Sequence, residues 1–315
     1  MYYSIRHMTR FRYSAPISQS VMELRMEPRS ERGQRCLSFQ LALNPHTRVM
    51  SYRDYLGNVV HHFDIPGQHR QLVIVAESTV EMKPAPDLPE SLPADAWDAI
   101  DHLARGEYDM LLPSKYTAPT PLLEAFAAEI NAVRRDDPMT LLRELNTAIY
   151  RTFDYEPQST EVDSPIDDAL QARQGVCQDF AHIMLALLRH LGVPCRYVSG
   201  YLFHYQNKAD RSAQDASHAW IEALLPDLGW VGFDPTNNLL CGERHIRVAI
   251  GRDYSDVPPT QGVFKGEAES ELSVGVRVAL ADEPQAEITL QPVAQWISGG
   301  EGSPSLDEQQ ESQQQ

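Results

Sequence analysis

The clearest periodic pattern of apolar positions along the chain follows a cysteine. After Cys177, apolar residues recur three and four positions apart, which is typical of a helix with one buried face. They are Phe180, Ile183, Met184, Leu187, Leu188 and Leu191. Gly192 and Pro194 end the pattern in the order expected at a helix C-terminus, and Gly175 permits a sharp turn before it. The pattern predicts a core helix with Cys177 in its first turn.

Alternating apolar and polar positions dominate residues 1–83, where we expect an antiparallel β-sheet or sandwich. The predicted strands cover residues 3–11, 37–43, 49–55, 59–65 and 71–82. Pro66-Gly67 is expected to interrupt the chain between the last two of these strands. This part of the chain is therefore predicted to form a domain of its own.

A linker rich in proline, residues 84–95, precedes a mixed region that we predict to be an α+β core over residues 96–265. Helical patterns cover residues 97–103, 121–134, 138–153 and about 165–173. Strand patterns cover residues 195–203, 218–225 and 230–233, and the last two are expected to pair as a hairpin.

The end of the chain divides into two parts. Residues 266–297 contain two strand patterns, at 272–280 and 286–293, and are predicted to form a C-terminal β-hairpin. Residues 298–315 are rich in Gly, Ser, Glu and Gln and lack the apolar content that would offset the entropy of ordering. We expect this tail to be disordered.

Composition excludes several classes of function. The net charge of −17, from 44 acidic and 27 basic residues, argues against binding to a nucleic-acid backbone. The first ten residues carry charges where a signal peptide needs an apolar run, and no stretch approaches ~18 consecutive apolar residues, so neither secretion nor membrane binding is expected. Four scattered cysteines without a Cys-x-x-Cys pair fit a reducing, cytoplasmic location.

Neither a metal nor a cofactor is expected. His182 and His190 lie eight residues apart on the predicted core helix, but no further ligands accompany them at a spacing suited to zinc. No group of carboxylates has the spacing of a calcium loop.

The predicted position of Cys177 suits a nucleophile. Unpaired backbone N–H groups and the helix dipole favour a thiolate at a helix N-terminus. The simpler alternative is that Cys177 is a small buried hydrophobe beside an apolar helix. Position alone leaves both interpretations open.

The predicted hairpin can supply the two partners that a catalytic thiol needs. His218 begins one strand and Asp234 ends the next, so antiparallel pairing brings them within a few residues of each other. Taken singly, His218 could be an ordinary strand histidine, and Asp234 before Pro235 could simply start a turn. Together with Cys177, they predict a site in which a histidine holds the proton and an aspartate orients it.

Four segments in this order carry a resemblance to a known family. They are residues 175–181 (GVCQDFA), 192–201 (GVPCRYVSGY), 217–222 (SHAWIE) and 229–236 (GWVGFDPT). The chain from Phe153 to Asn238 resembles the bacterial branch of the transglutaminase-like superfamily, of the cysteine peptidase type. The strand-rich beginning resembles the N-terminal domain that often accompanies these bacterial members.

The resemblance implies a papain-like α+β core with an N-terminal antiparallel β domain. It implies that Cys177 is the nucleophile, His218 the general base and acid, and Asp234 the orienting group. The backbone N–H of Cys177 is a natural donor to an oxyanion, because the helix N-terminus directs donors at developing negative charge. Three side chains are further candidates for oxyanion or substrate contacts: Tyr155, Gln158 and Gln178.

The hypothesis from sequence is therefore a cysteine hydrolase that cleaves peptide or isopeptide amide bonds through a thioester. Its partner would be a protein or peptide substrate. Gln178 and Asp179 stand where the animal crosslinking enzymes carry a tryptophan and another apolar residue, which counts against crosslinking. Two alternatives remain: acyl transfer to an amine, and a non-catalytic scaffold that binds a protein through its N-terminal β domain.

Overall fold

The computed structural model describes residues 1–31, 33–93, 95–135, 137–157, 159–205, 210–282 and 290–293. The strands are β1 (Tyr2–Leu24), β2 (Gln34–Asn44), β3 (Met50–Arg53), β4 (Val59–Met82), β5 (Asp154–Tyr155), β6 (Gln174–Gly175), β7 (Cys195–Leu202), β8 (His218–Leu225), β9 (Gly229–Asp234), β10 (Leu239–Leu240), β11 (His245–Gly251), β12 (Thr260–Lys265), β13 (Ser270–Leu280) and β14 (Gln291–Val293). The helices are α1 (Ala96–Leu103), α2 (Pro121–Glu129), α3 (Pro138–Thr152), α4 (Ile166–Ala172) and α5 (Cys177–His190). The predicted class, an α+β core with an antiparallel N-terminal sheet, is confirmed.

The large sheet has the strand order β14-β13-β1-β4-β2, with β12 paired to β1 and β3 paired to β4. Along β1 buried and more exposed residues alternate, as the sequence pattern predicts. The predicted break at Pro66-Gly67 is wrong, because β4 continues through it. Pro66 pairs with Gln19, beside the register shifts of β1, and a ladder that is already irregular tolerates a residue without an N–H.

Strands from the end of the chain complete the sheet that begins at its start. β13 runs antiparallel to β1, from Tyr3 opposite Leu280 to Tyr13 opposite Ser270, and β12 pairs with the second half of β1. β14 pairs with β13 as expected of a hairpin. The predicted tail, 298–315, lies outside the described residues. The division into domains stays a prediction. Residues 260–265, which that division assigns to the core, pair with β1 in the large sheet.

Helix α5 forms the centre of the core. The sequence predicts one buried face, but all twelve residues from Gln178 to Arg189 are buried. Strands β7 and β8 pack on one side of the helix, and helices α2, α3 and α4 also contact it. The polar positions are covered as well because the helix lies between layers and not at the surface.

Helix α2 ends five residues earlier than its pattern predicts. The pattern runs to Arg134, but the helix stops at Glu129, and Asn131 adopts a left-handed backbone conformation with φ 51°. Asparagine tolerates that conformation better than most residues, so it ends the helix. At the other end, Thr120 caps the helix, because its hydroxyl accepts a hydrogen bond from the Leu123 N–H at 3.1 Å.

The large sheet and the core are joined by packing and by hydrogen bonds. Tyr3, Ile5 and Val276 belong to the same apolar cluster as the residues of α5. Two side-chain amides of the sheet region bond to the outer edge of β11. Gln34 bonds to the backbone N–H and C=O of Arg247, and Asn58 bonds to those of Ile250, at 2.7–2.9 Å. Each amide thus makes with β11 the two backbone hydrogen bonds that a residue of a neighbouring strand would make.

Candidate active site

The turn before α5 presents Cys177 as the first residue of the helix. A side chain at Gly175 would approach the Asp179 carboxylate to 2.9 Å, so the turn has room only for glycine. Asp179 Oδ2 accepts hydrogen bonds from the Val176 N–H at 2.8 Å and the Thr160 hydroxyl at 2.7 Å. These contacts stabilise the N-terminus of α5, where Cys177 is half-buried.

The structure brings His218 and Asp234 into direct contact. In the β8–β9 hairpin, Ile221 pairs with Phe233, which places Asp234 near the start of β8. His218 Nε2 donates a hydrogen bond to Asp234 Oδ2 at 2.8 Å. His218 is 3% exposed and Asp234 is 0% exposed. The other ring nitrogen, His218 Nδ1, is buried without a hydrogen-bond partner among the described residues.

The electrostatics of this pair favour two charged groups. Burial alone lowers the pKa of His218, but the charge of Asp234, the hydrogen bond to it and the neighbouring Cys177 raise it to about 10. Burial alone raises the pKa of Asp234, but His218 and His245 hold it well below its usual range. A carboxylate beside an imidazole stabilises the protonated ring, so this histidine carries a proton at neutral pH.

Cys177 and His218 line one cavity of about 470 Å³. Tyr155 and Gln178 also line it. Tyr155 lies there because β5 pairs in parallel with β6, which opposes Tyr155 to Gly175. Burial and the charge of Cys177 raise the pKa of the Tyr155 hydroxyl, and that oxygen accepts from the Ala213 N–H at 3.4 Å.

The other two candidates for substrate contacts are less readily assigned. The Gln178 side-chain amide donates to the Val162 carbonyl at 2.8 Å, so one of its two amide protons is used within the protein. Gln158 lies outside the described residues.

His245 is a site residue that the sequence did not indicate. Its Nδ1 accepts from the Gly242 N–H at 3.3 Å, so its Nε2 carries the proton and donates to Asp234 Oδ2 at 3.1 Å. Burial lowers the pKa of His245, and the ring stays neutral. Its position at the start of β11 gave no local signal, because the contact depends on how β11 folds back beside β7.

Asn237 is the second residue that the sequence did not indicate, although its place directly after Asp234-Pro235-Thr236 is a turn signal. Its Nδ2 donates to Asp234 Oδ2 at 2.8 Å and to the Ser212 hydroxyl at 3.1 Å. Backbone N–H groups of Thr236 and Asn237 donate to Asp234 Oδ1. Asp234 therefore accepts five hydrogen bonds, which explains its stability as a buried anion.

His218, Asp234 and His245 also form a cluster of metal-ligand types, with one ligand atom from each within 4.8 Å of the others. Both Nε2 atoms already donate to the same carboxylate oxygen. Hydrogen bonds thus account for the cluster as it stands. A metal ion there would have to displace two protons.

The fold and these contacts define an α+β protein in which a cysteine at a helix N-terminus lines the same cavity as a histidine bonded to a buried carboxylate. Two family models match the chain: the bacterial transglutaminase-like N-terminal region over residues 3–81, and the transglutaminase-like superfamily over residues 124–235. The chain belongs to the transglutaminase-like superfamily, as its motifs predict. In the described part of the chain, no helix is both long enough and apolar enough to cross a bilayer.

Known relatives extend over most of the chain. An uncharacterized protein of Mycobacterium leprae is 34% identical over 275 residues, which span 86% of this chain and 96% of that protein. The protein-glutamine gamma-glutamyltransferase of Pseudomonas aeruginosa is 31% identical over 121 residues, 37% of this chain and 18% of that protein. A crystal structure from Cytophaga hutchinsonii, described as a candidate cysteine protease, shares the fold with a TM-score of 0.70, 22% identity and coverage of 91% of this chain and 92% of that one.

Proposed function

We propose that the protein is a cysteine hydrolase that cleaves peptide or isopeptide amide bonds. The observation that carries the proposal is the contact of 2.8 Å between His218 and Asp234, on a cavity that also contains Cys177. A thiol at a helix N-terminus, a protonated imidazole and a buried carboxylate are the groups that amide cleavage by a thiolate requires.

The reaction proceeds in two steps. Cys177 Sγ attacks the substrate carbonyl carbon, His218 donates its proton to the leaving nitrogen, and the C–N bond breaks to leave a thioester. Water then attacks the thioester, His218 accepts a proton from it, and the C–S bond breaks to release the acid and the thiolate. Asp234 keeps the imidazole oriented and stabilises its charge in both steps.

Two donors would stabilise the oxyanion. The backbone N–H of Cys177 lies at the first position of α5, where no intrahelical acceptor exists for it. The Tyr155 hydroxyl accepts from Ala213 and keeps its own proton available. We assign it as the second donor because Tyr155 lines the same cavity as Cys177 and pairs with Gly175, two residues before Cys177.

Alkylation with iodoacetamide at graded pH tests the nucleophile. Cys177 should react before Cys36, Cys195 and Cys241, and His218→Ala should remove its advantage. His69→Ala is the matched control, because His69 is a buried histidine of the large sheet that does not line the cavity. Equal, slow labelling of all four cysteines would support the scaffold alternative and contradict the proposal.

Acyl transfer to an amine is the second candidate, and the similarity to the Pseudomonas aeruginosa gamma-glutamyltransferase favours it. It differs from hydrolysis only in the nucleophile that resolves the thioester. A peptide library offered with and without a primary amine distinguishes them by mass spectrometry. Hydrolysis products should dominate, and a dominance of amine adducts would replace hydrolysis with transfer.

A further inference from the structure

The cavity that contains Cys177 has two walls from distant parts of the chain. Core residues, including Tyr155, Tyr197 and the segment 215–218, form one wall. The large sheet forms the other, with His7 and Thr9 from β1 and Leu272 and Val274 from β13. Thr9 and Val274 are direct partners across β1 and β13, so their side chains share one face of the sheet.

This second wall is held rigidly against the core. His7 Nδ1 lies 2.9 Å from the Tyr201 hydroxyl of β7. Val276, the direct partner of His7, donates its backbone N–H to the Asp215 carbonyl at 2.8 Å. Asp215 lies three residues before His218, so the sheet is bonded to the segment that leads into the proposed acid and base. A wall fixed in this way is preorganised for a ligand.

The chemistry of the cavity disfavours an anionic occupant. Among the described residues that line it there is no lysine or arginine. Burial lowers the pKa of His7 to about 4, so His7 is neutral and offers no positive charge. His218, the cation on the opposite wall, is already paired with Asp234. A substrate carboxylate entering beside Leu272 and Val274 would therefore lose its hydration without meeting an unpaired cation, and that loss is costly.

We propose that Thr9, Leu272 and Val274 form the subsite for the acyl donor, and that this subsite selects an uncharged aliphatic residue at the attacked carbonyl. The proposal rests on the proposed function of Cys177. It gives the large sheet a direct part in substrate selection, although its strands come from the two ends of the chain. The occupant is the substrate segment whose carbonyl must reach Cys177 Sγ.

Three peptidyl chloromethyl ketones test the subsite. They share the structure N-acetyl-Gly-Xaa and differ in Xaa, which is Val, Glu or Lys, and mass spectrometry measures the rate of Cys177 alkylation. The Val reagent should react about tenfold faster than the Glu reagent. Val274→Lys should reverse the order of these two, and Val274→Glu should favour the Lys reagent. Val278→Lys is the matched control, because Val278 lies on the same strand and does not line the cavity.

Iodoacetamide separates this proposal from the function on which it rests, because it reports the nucleophile without using the subsite. If iodoacetamide labels Cys177 selectively but the order of the three ketones is the same in wild type, Val274→Lys and Val274→Glu, the subsite is assigned wrongly and the function stands. If Cys177 shows no selectivity for iodoacetamide, both fail. Should the charged variants unfold, Val274→Ala enlarges the subsite and should shift preference from a Val to a Leu reagent. An unchanged ratio there overturns the proposal.

Discussion

Two buried histidines face the same cavity from opposite walls, and their charge states differ. His7, on the large sheet, is 1% exposed, and His218, on the core, is 3% exposed. Burial lowers the pKa of His7 to about 4, whereas the pKa of His218 is raised to about 10. Equal burial therefore does not produce equal chemistry. The difference lies in the partners of the two rings.

His7 contacts two hydroxyl groups, those of Tyr201 and Thr9, at 2.9 Å and 3.4 Å. Hydrogen bonds to neutral hydroxyl groups do not offset the free-energy cost of burying an imidazolium ion. His218 contacts Asp234, which remains ionised because five donors surround it. The anion at the end of β9 thus converts one buried histidine into a cation, while the other remains a neutral part of the wall.

The largest expected effect comes from removing that anion. Asp234→Asn keeps the shape of the side chain but removes the charge that protonates His218, so amide cleavage should fall by about a thousandfold. The measurement is kcat/KM on a peptide identified from the library. The selectivity of iodoacetamide for Cys177 should fall in the same variant. A variant that retains more than a tenth of the activity would contradict the role of Asp234.

A smaller effect is expected in the pH dependence of stability. The folded pKa of His218 is raised above its ordinary value of 6.5, so its stabilisation is complete below pH 6.5 and is lost as pH rises toward 10. Urea unfolding should show the wild-type free energy of unfolding falling by about 3 kcal/mol between pH 6.5 and 9. His218→Gln should remove this decline. Cys36 and Cys195, whose pKa values are raised to about 11, affect the free energy of unfolding mainly above this pH interval.

His7 should affect the stability of the protein at acidic pH, whereas His218 affects it at alkaline pH. Its folded pKa is lowered to about 4, so the unfolded chain binds a proton at this residue at a higher pH than the folded protein does. Stability is therefore unaffected above pH 6.5 and is lost as pH falls through 4. His7→Gln should therefore reduce the loss of stability between pH 6.5 and 4 and leave the decline between pH 6.5 and 9 unchanged. If both histidine variants altered the same limb of the stability curve, the contrast between the two walls would be wrong.

The smallest effect is expected at His245, which acts through Asp234. His245→Phe keeps the ring against Trp220 but removes one of five hydrogen bonds to the carboxylate. Activity should fall about tenfold, since one lost hydrogen bond to a charged group corresponds to ~1.5 kcal/mol. His245→Gln, which retains a donor, should recover part of the loss. A purely structural role would instead lower stability in His245→Phe without changing the pH profile of kcat/KM.

Local patterns were sufficient for the parts of the fold that depend on neighbouring residues. The apolar spacing after Cys177 predicted α5, and the two strand patterns around Pro226 predicted the hairpin that brings His218 and Asp234 together. The family followed from motifs clustered between Phe153 and Asn238. These features are encoded within short stretches, so one sequence is enough to recognise them.

Contacts between distant residues could not be obtained in this way. His245 reaches Asp234 only because β11 pairs with β7, and Val274 reaches the cavity only because β13 pairs with β1. A strand pattern indicates that a segment is extended but does not specify its partner strand. For the same reason the sequence predicted the large sheet as a separate N-terminal domain and did not reveal that it lines the site.

The bonds from Gln34 and Asn58 to β11 have a consequence for how the molecule can be divided. β11 is the last strand of its sheet, and its outer N–H and C=O groups at Arg247 and Ile250 are satisfied by these two amides. A fragment starting after residue 83 would expose this strand edge, and an exposed edge is a template for pairing with other chains. The sequence changes character at Lys83, and we expect a fragment cut there to self-associate through the uncovered edge of β11.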